Sequence, residues 1–513
     1  MAAFSFAGND GDRCKWDPSF RKEQIMFPGF FRTSRLTIYR CPALLLSSFM
    51  VIALGSPQQS DPRFKEAMER MRVGKYAEAE QALKPLIAHQ PSSEVYSLLG
   101  YACELQETPG SLEEAQESYK KSLQLNPRLE FSKVRLGIVY GKAGKFADCV
   151  ATLSALRPRI DSNAEALFYL CLSHLEKGEK GKALEVATAV ERSNQKDAES
   201  LLKVVRLLVW KELYPESLPI LRKTVDRLPQ SPKANYLLAL SLFKVKQYDE
   251  MQPYLEKAYR LEPESLPTLL LRAAALLEAK KLPEARELVR KAHELATGDP
   301  EVRYLECQLL IEEGAYQEAI DGLNKLIRKG SKHPDIYFLL LSAYRRKGDI
   351  QETVDYARKL TQVFPENSLA QLNAGLDLQL IRQFQEAEDH LRKAVSLAAK
   401  DPEAQSRAKF ELASVLRKQG NDVEAMPLLE ELVRSEKSEI SSRLELGDIY
   451  LRMNDYEKSL KVLEEAASLA PKNKRARLLL GKVLTRLDKH EQAREQFKLF
   501  EQLESAEAVD EGK

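Results

Sequence analysis

Histidine and cysteine are scarce in this chain, six of each in 513 residues. The cysteines (Cys14, Cys41, Cys103, Cys149, Cys171 and Cys307) form no CxxC pair and no regular framework, so neither a disulfide scaffold nor a thiolate zinc site is expected. The histidines stand singly, with no HExxH or HxxxH, and no GxxxxGK[ST] phosphate loop occurs. No cofactor, metal or catalytic constellation is therefore expected. A surplus of one charge is missing too: 78 Lys and Arg face 76 Asp and Glu, and beyond residue 55 the balance is 71 to 72. A near-neutral body argues against nucleic acid, whose backbone demands a concentrated basic surface.

What is present, 30% charged and 44% hydrophobic residues with 24 Pro and 22 Gly, describes an ordered, mostly helical chain. Residues 26–55 combine Arg32, Arg35 and Arg40 with an apolar run from Cys41 to Gly55, ending in the small residues Ala53 and Gly55. This is the pattern of a secretory signal peptide, cleaved near Gly55/Ser56, and the run is shorter than the roughly 20 residues that span a bilayer. It predicts an exported, periplasmic or secreted protein that meets membranes only through partners or an uncleaved leader. Residues 1–25, with Asp10, Asp12, Asp17 and Glu23, do not suit a leader. They read as a non-native or disordered extension, with translation starting at Met26.

From Asp61 one pattern recurs: a helix with a small residue in mid-course, a turn, then a second helix opening on an aromatic or aliphatic residue. GKYAEAEQAL (Gly74 to Leu83), GKFADCVATL (Gly144 to Leu153) and GAYQEAIDGL (Gly314 to Leu323) show its second half. From Gly144 through Gly178, Glu212, Lys246, Lys280, Gly314, Gly348 and Arg382 the spacing is 34 residues each time. The small residue falls on positions such as Gly100, Gly137, Cys171, Ala239, Cys307 and Gly481, with Val205 and Leu341 as departures. The second helix has its own small position, at Ala79, Cys149 and Ala319 among others, with Met251 the large exception. Small side chains are needed where antiparallel helices cross closely, so Cys149, Cys171 and Cys307 read as buried stand-ins for Ala.

In period and pattern the chain resembles the tetratricopeptide repeat. The resemblance implies an all-α solenoid, a right-handed superhelix of about thirteen helix-turn-helix repeats over residues 61–505, with an acidic disordered tail at 506–513. It also implies a concave groove lined by the second, fifth, ninth, twelfth and thirteenth positions of each first helix, the small residue being the eighth. Those positions give an apolar central stretch with Phe168, Leu172, Trp210, Tyr236, Phe243, Tyr304 and Phe338, of which Trp210 and Phe243 are expected to be the exposed anchors. Toward the carboxyl end they give a basic stretch with Arg345, Arg346, Arg407, Arg417, Lys418, Arg452 and Arg486, able to grip an acidic segment. Two family ligand sets are absent: no fifth position is Lys and no ninth is Asn, and only Asn373 occupies a sixth position as asparagine.

The function expected is a non-enzymatic scaffold of the cell envelope or secretory pathway, binding protein or peptide segments in its groove. Two alternatives stay open. One is an accessory or regulatory subunit of a glycosyltransferase or polysaccharide assembly system. The other is a cytoplasmic scaffold whose leader is an artefact of the gene model.

Overall fold

The structure, a computed structural model, describes residues 61–89, 91–193, 198–435 and 439–511, together with Ala3–Phe4 and Trp16–Asp17. The expected leader, 26–55, and the rest of 1–25 lie outside the described residues. Ala3–Phe4 (β1) and Trp16–Asp17 (β2) pair antiparallel, a short pairing in a chain expected to hold no strand. The chain divides into two compact units, residues 26–305 and residues 306–513 with 1–25.

Twenty-six helices follow among the described residues, in thirteen hairpins as the spacing predicts. The first unit holds α1 (Pro62–Arg72), α2 (Tyr76–His89), α3 (Ser93–Gln106), α4 (Pro109–Leu125), α5 (Glu130–Lys142), α6 (Phe146–Ser154), α7 (Ala164–Glu176), α8 (Lys180–Ser193), α9 (Ala198–Trp210), α10 (Tyr214–Arg227), α11 (Pro232–Lys244), α12 (Tyr248–Leu261), α13 (Leu266–Glu278) and α14 (Leu282–Leu295). The unit boundary falls inside α15 (Pro300–Glu312). The second unit continues with α16 (Tyr316–Arg328), α17 (Pro334–Lys347), α18 (Ile350–Val363), α19 (Ser368–Leu380), α20 (Phe384–Leu397), α21 (Pro402–Lys418), α22 (Asp422–Ser435), α23 (Ser441–Arg452), α24 (Tyr456–Leu469), α25 (Lys474–Arg486) and α26 (His490–Glu511). Because α26 runs to Glu511, residues 506–511 are helical where a disordered tail was expected.

Each hairpin is made by one backbone device. The residue seven after the small position of the first helix takes a left-handed conformation in all thirteen repeats. It is Gly in six, from Gly74 to Gly420, and Glu107, Glu212, Lys246, Lys280, Arg382, Asn454 or Asp488 in the other seven. That conformation turns the next amide back onto the helix: Lys145 N–H reaches the Tyr140 carbonyl at 2.8 Å, and Lys281 N–H that of Leu276 at 2.9 Å. The helix ends there because its last carbonyls are satisfied.

The crossing that follows explains the small residues. A Cβ added at Gly137 would lie 2.5 Å from Cδ2 of Leu153, and one at Gly481 would lie 2.6 Å from Cε1 of Phe497. Both neighbours stand four residues past the small position of their own second helix, so first and second helices touch at the register read from the pattern. Cys171 fits the same gap, its Sγ 3.5 Å from the Ala183 carbonyl. Burial pushes the thiol of Cys149 up to about 11 and that of Cys171 up to about 12, so both are packing groups in their neutral form. Val205, Met251 and Leu341, which break the small-residue rule, are buried all the same.

Successive hairpins are also tied along their second helices. A cation five residues after the small position pairs with the acid just before that position in the next repeat. Lys84 pairs with Glu114 at 2.9 Å, Arg222 with Glu250 at 2.8 Å, Arg358 with Glu386 at 2.7 Å, and Arg392 with Glu424 at 2.6 Å. These rungs are largely exposed, so each contributes little, on the order of 0–1 kcal/mol.

Candidate binding surfaces on the first helices

Side-chain bonds between successive first helices define the face on which the expected site residues fall. In the first unit the apolar positions divide sharply. Phe168, Phe243 and Tyr304 are only 4%, 3% and 3% exposed, and Leu172 and Tyr236 are half-buried. Phe243 was expected as an exposed anchor; instead it fills space between helices, its ring set edge-on at 5.7 Å to that of Tyr248. Phe338, in the second unit, is half-buried as well. Trp210 alone of the seven is open, at 42% exposure. Its indole carries the Lys211 ammonium 4.5 Å from the ring centroid, and that ammonium also pairs with Glu176 at 2.9 Å. Beneath it the helix is pinned by Leu202, Val205 and Val209, all buried.

The expected basic stretch is largely neutralised from within, which corrects its reading as an open cationic end. Arg345 donates from Nε and Nη2 to the Asp377 carboxylate, both at 2.8 Å. Burial outweighs this single arginine and holds the Asp377 carboxyl above its ordinary range. Arg346 donates to the Ile311 carbonyl at 3.2 Å and lies 3.1 Å from Glu312. Arg417 is held by Glu445 and Asp448, Lys418 by Gln379 at 2.7 Å, and Arg452 by Asp422 at 2.9 Å. Arg407 is half-buried. Arg486 is exposed, and no ion pair to it is found among the described residues. Long cations on first helices meet carboxylates of the neighbouring repeat because stacking brings those positions within reach.

The most deeply buried charges were not singled out by sequence. Glu104 on α3 is fully buried and receives Arg135 of α5 at 2.8 Å (Nε to Oε2), Lys142 at 2.6 Å and the Tyr119 hydroxyl at 3.0 Å. Arg135, itself buried, reaches on to Glu165 of α7 at 2.6 Å. Burial alone would raise the Glu104 carboxyl; Arg135 and Lys142 more than reverse that and hold it at about 2. In position terms a charge at the twelfth place of one repeat meets the opposite charge at the sixth place of the next. That residue in turn meets the second place of the repeat after.

The second unit carries the same clip with its signs inverted. There Arg417 is twelfth, Glu445 sixth and Arg475 second, with Arg475 2.6 Å from Glu445. The signal was present in the sequence as Arg135 and Glu445 at sixth positions otherwise mostly Leu, each facing an opposite charge in the preceding repeat.

Glu80, Cys103 and Glu114 bring ligand atoms within 4.8 Å of one another. The Lys84 ammonium sits 2.5 Å from Glu80 and 2.9 Å from Glu114, so a cation of the chain itself already bridges the two carboxylates. Burial raises the Cys103 thiol far above its ordinary range, so it is not a thiolate. Among the described residues no helix is long and apolar enough to cross a membrane.

Models of the tetratricopeptide repeat match residues 276–344 and residues 64–129 and 372–439. A model of anaphase-promoting complex, cyclosome, subunit 3 matches residues 210–292 and 418–498. Among solved structures, yeast Tom70 is 18% identical, covering 85% of this chain and 96% of its own, with a TM-score of 0.42. The Cut9–Hcn1 hetero-tetramer of the APC/C is 15% identical over 86% of this chain and 99% of that one, at 0.40. YrrB, described as a TPR protein with an unusual peptide-binding site, is 16% identical over 35% of this chain and 91% of its own, at 0.31. No curated protein sequence matches the chain.

Proposed function

Since this chain belongs to the tetratricopeptide-repeat proteins, a class of protein–protein interaction scaffolds, we propose that it holds a segment of a partner protein against the first-helix face around α9, with Trp210 as the anchor. The observation that carries this is the exposure of Trp210 on a helix whose neighbouring side chains are buried. An aromatic held on a rigid element offers a large contact area and loses little conformational freedom on binding. The work of the scaffold is then positional: repeats 4 to 6 fix the place of the indole, and the partner supplies the pocket or apolar side chain that covers it.

Export is the second half of the reading. The arginines and apolar run of residues 26–55 support an envelope or secretory setting. Fractionation with N-terminal sequencing of the protein made from the full gene tests it. Mature protein starting near Ser56 outside the cytoplasm is the expected result, and an intact leader in the cytosol overturns that half alone.

For the binding surface the test is a photo-crosslinking residue placed at exposed Glu212, beside Trp210, compared with one at exposed Leu295 on α14. Partners crosslinked from 212 and lost when Trp210→Ala is added support the assignment. Equal crosslinking from both places refutes it.

A further inference from the structure

The neutralisation of cations along the second unit stops at its last repeat. Helix α25, KRARLLLGKVLTR, holds five cations and no carboxylate. Arg475 is shared with Glu445 at 2.6 Å but is still 48% exposed. Arg477 turns away, donating to the Pro471 carbonyl and to Gln496. Lys482 and Arg486, at the ninth and thirteenth positions, are exposed and have no ion pair among the described residues. The acids of the adjacent first helix are already engaged: Glu445 with Arg417 and Arg475, Asp448 with Arg417. Arg452, beside them, is occupied by Asp422 yet 44% exposed. The face of α25 thus presents a surplus of positive charge that the adjacent first helix does not cancel, in a protein otherwise close to neutral.

We propose that this face binds an acidic segment of a partner protein through its side-chain carboxylates. Arg475, Lys482 and Arg486 are spaced by seven and four residues on one helix, so they stand about 10 Å and about 6 Å apart along its axis at roughly 1.5 Å per residue. An extended chain advances roughly 3.3 Å per residue and turns every second side chain to the same face, so carboxylates four and two residues apart, roughly 13 Å and 7 Å along the chain, share one face and reach those cations through their flexible side chains. The ligand is therefore an extended segment with Glu or Asp in the order E-x-x-x-E-x-E or its reverse. Arg486 and Arg475 take carboxylates as planar forks at the two ends, and Lys482 supplies a point charge between them. This surface is separate from the one around Trp210 and stands or falls independently of it.

The test is fluorescence anisotropy of the full chain with a labelled peptide of Ser and Gly carrying that glutamate pattern. The peptide is acetylated and amidated so that side chains are its only anions, and a Glu→Gln copy is run beside it. Wild type binds the acidic peptide, not the Gln copy, and loses affinity as salt rises. The double variant Lys482→Gln/Arg486→Gln, with its helical circular dichroism intact, weakens binding roughly tenfold or more, the loss of two charge-assisted contacts. The variant Lys472→Gln/Lys489→Gln removes the same charge from exposed positions outside α25 and leaves binding unchanged. Failure of wild type to bind, equal binding of the Gln copy, or equal losses in the two variants overturns the proposal.

Discussion

Removing one charge at Glu104 tests the N-terminal clip directly. Glu104→Gln keeps the shape of the side chain but deletes the anion that Arg135, Lys142 and the Tyr119 hydroxyl share. Arg135, 3% exposed, is then left with Glu165 alone, and Lys142 with the same residue at 3.4 Å. The carboxyl falls from its ordinary 4.5 to about 2 on folding, which corresponds to about 3 kcal/mol of stability near neutral pH. Breaking a buried ion pair by removing one partner costs about 3–5 kcal/mol by an independent route, so the two figures agree. Because the folded value is depressed, this stability is fully present above the unfolded value and is lost as pH falls from about 5 toward 2. Repeat arrays unfold in segments, so the assay must be local. Hydrogen exchange followed by mass spectrometry should show α3, α5 and α7 losing protection in Glu104→Gln at pH 7. Helices of the second unit should keep theirs. The difference from wild type should shrink as the pH approaches 2. Unchanged exchange in those three helices at pH 7, or a difference that does not depend on pH, refutes the argument. The double variant Glu104→Met/Arg135→Met should be less damaging than the two single changes added, since neither charge is then stranded.

Other outcomes follow from packing and backbone. Phe243→Ala should destabilise the first unit by about 3–5 kcal/mol, whereas Trp210→Ala should stay within about 1 kcal/mol, both read by chemical denaturation; equal costs would place Trp210 in the core. Gly137→Leu forces a side chain into the position of Leu153 and should cost about 1–3 kcal/mol or more, seen as a lowered melting temperature; wild-type melting would mean the crossing is looser than 2.5 Å implies. Lys280→Gly relieves a left-handed residue at φ 59° and should stabilise by roughly 0.5–1 kcal/mol, while Gly314→Ala at φ 85° should destabilise by a similar amount. A loss of stability in Lys280→Gly would show that the lysine side chain contributes more than its backbone strain costs.

The repeats are legible because their rules are local. A left-handed turn residue and a close helix crossing each restrict one position per repeat, so the period of 34 and the register can be read directly from residue types. The turn was visible even where glycine is absent, since Glu212, Lys246 and Lys280 keep the spacing. Site residues were less legible. The twelfth and thirteenth positions of a first helix face either the neighbouring helix or open space, and residue type does not separate the two: Phe243 and Trp210 look equally suited to bind, yet one is 3% and the other 42% exposed. The expected basic stretch is largely paired for a related reason. A cation's partner lies about thirty residues away in the chain, as Asp377 does from Arg345, and only stacking brings it near.

By itself, then, the sequence determines the helices, their pairing and their number, because helix ends and crossings depend on residues within one repeat. Tertiary structure alone decides which charges are spent. Glu104 with Arg135, and Glu445 with Arg417 and Arg475, meet across two or three repeats, while Lys482 and Arg486 find no carboxylate among the described residues. Coulomb attraction falls with distance and with solvent screening, so a charge is satisfied or available according to what the packed neighbours place within a few ångströms of it.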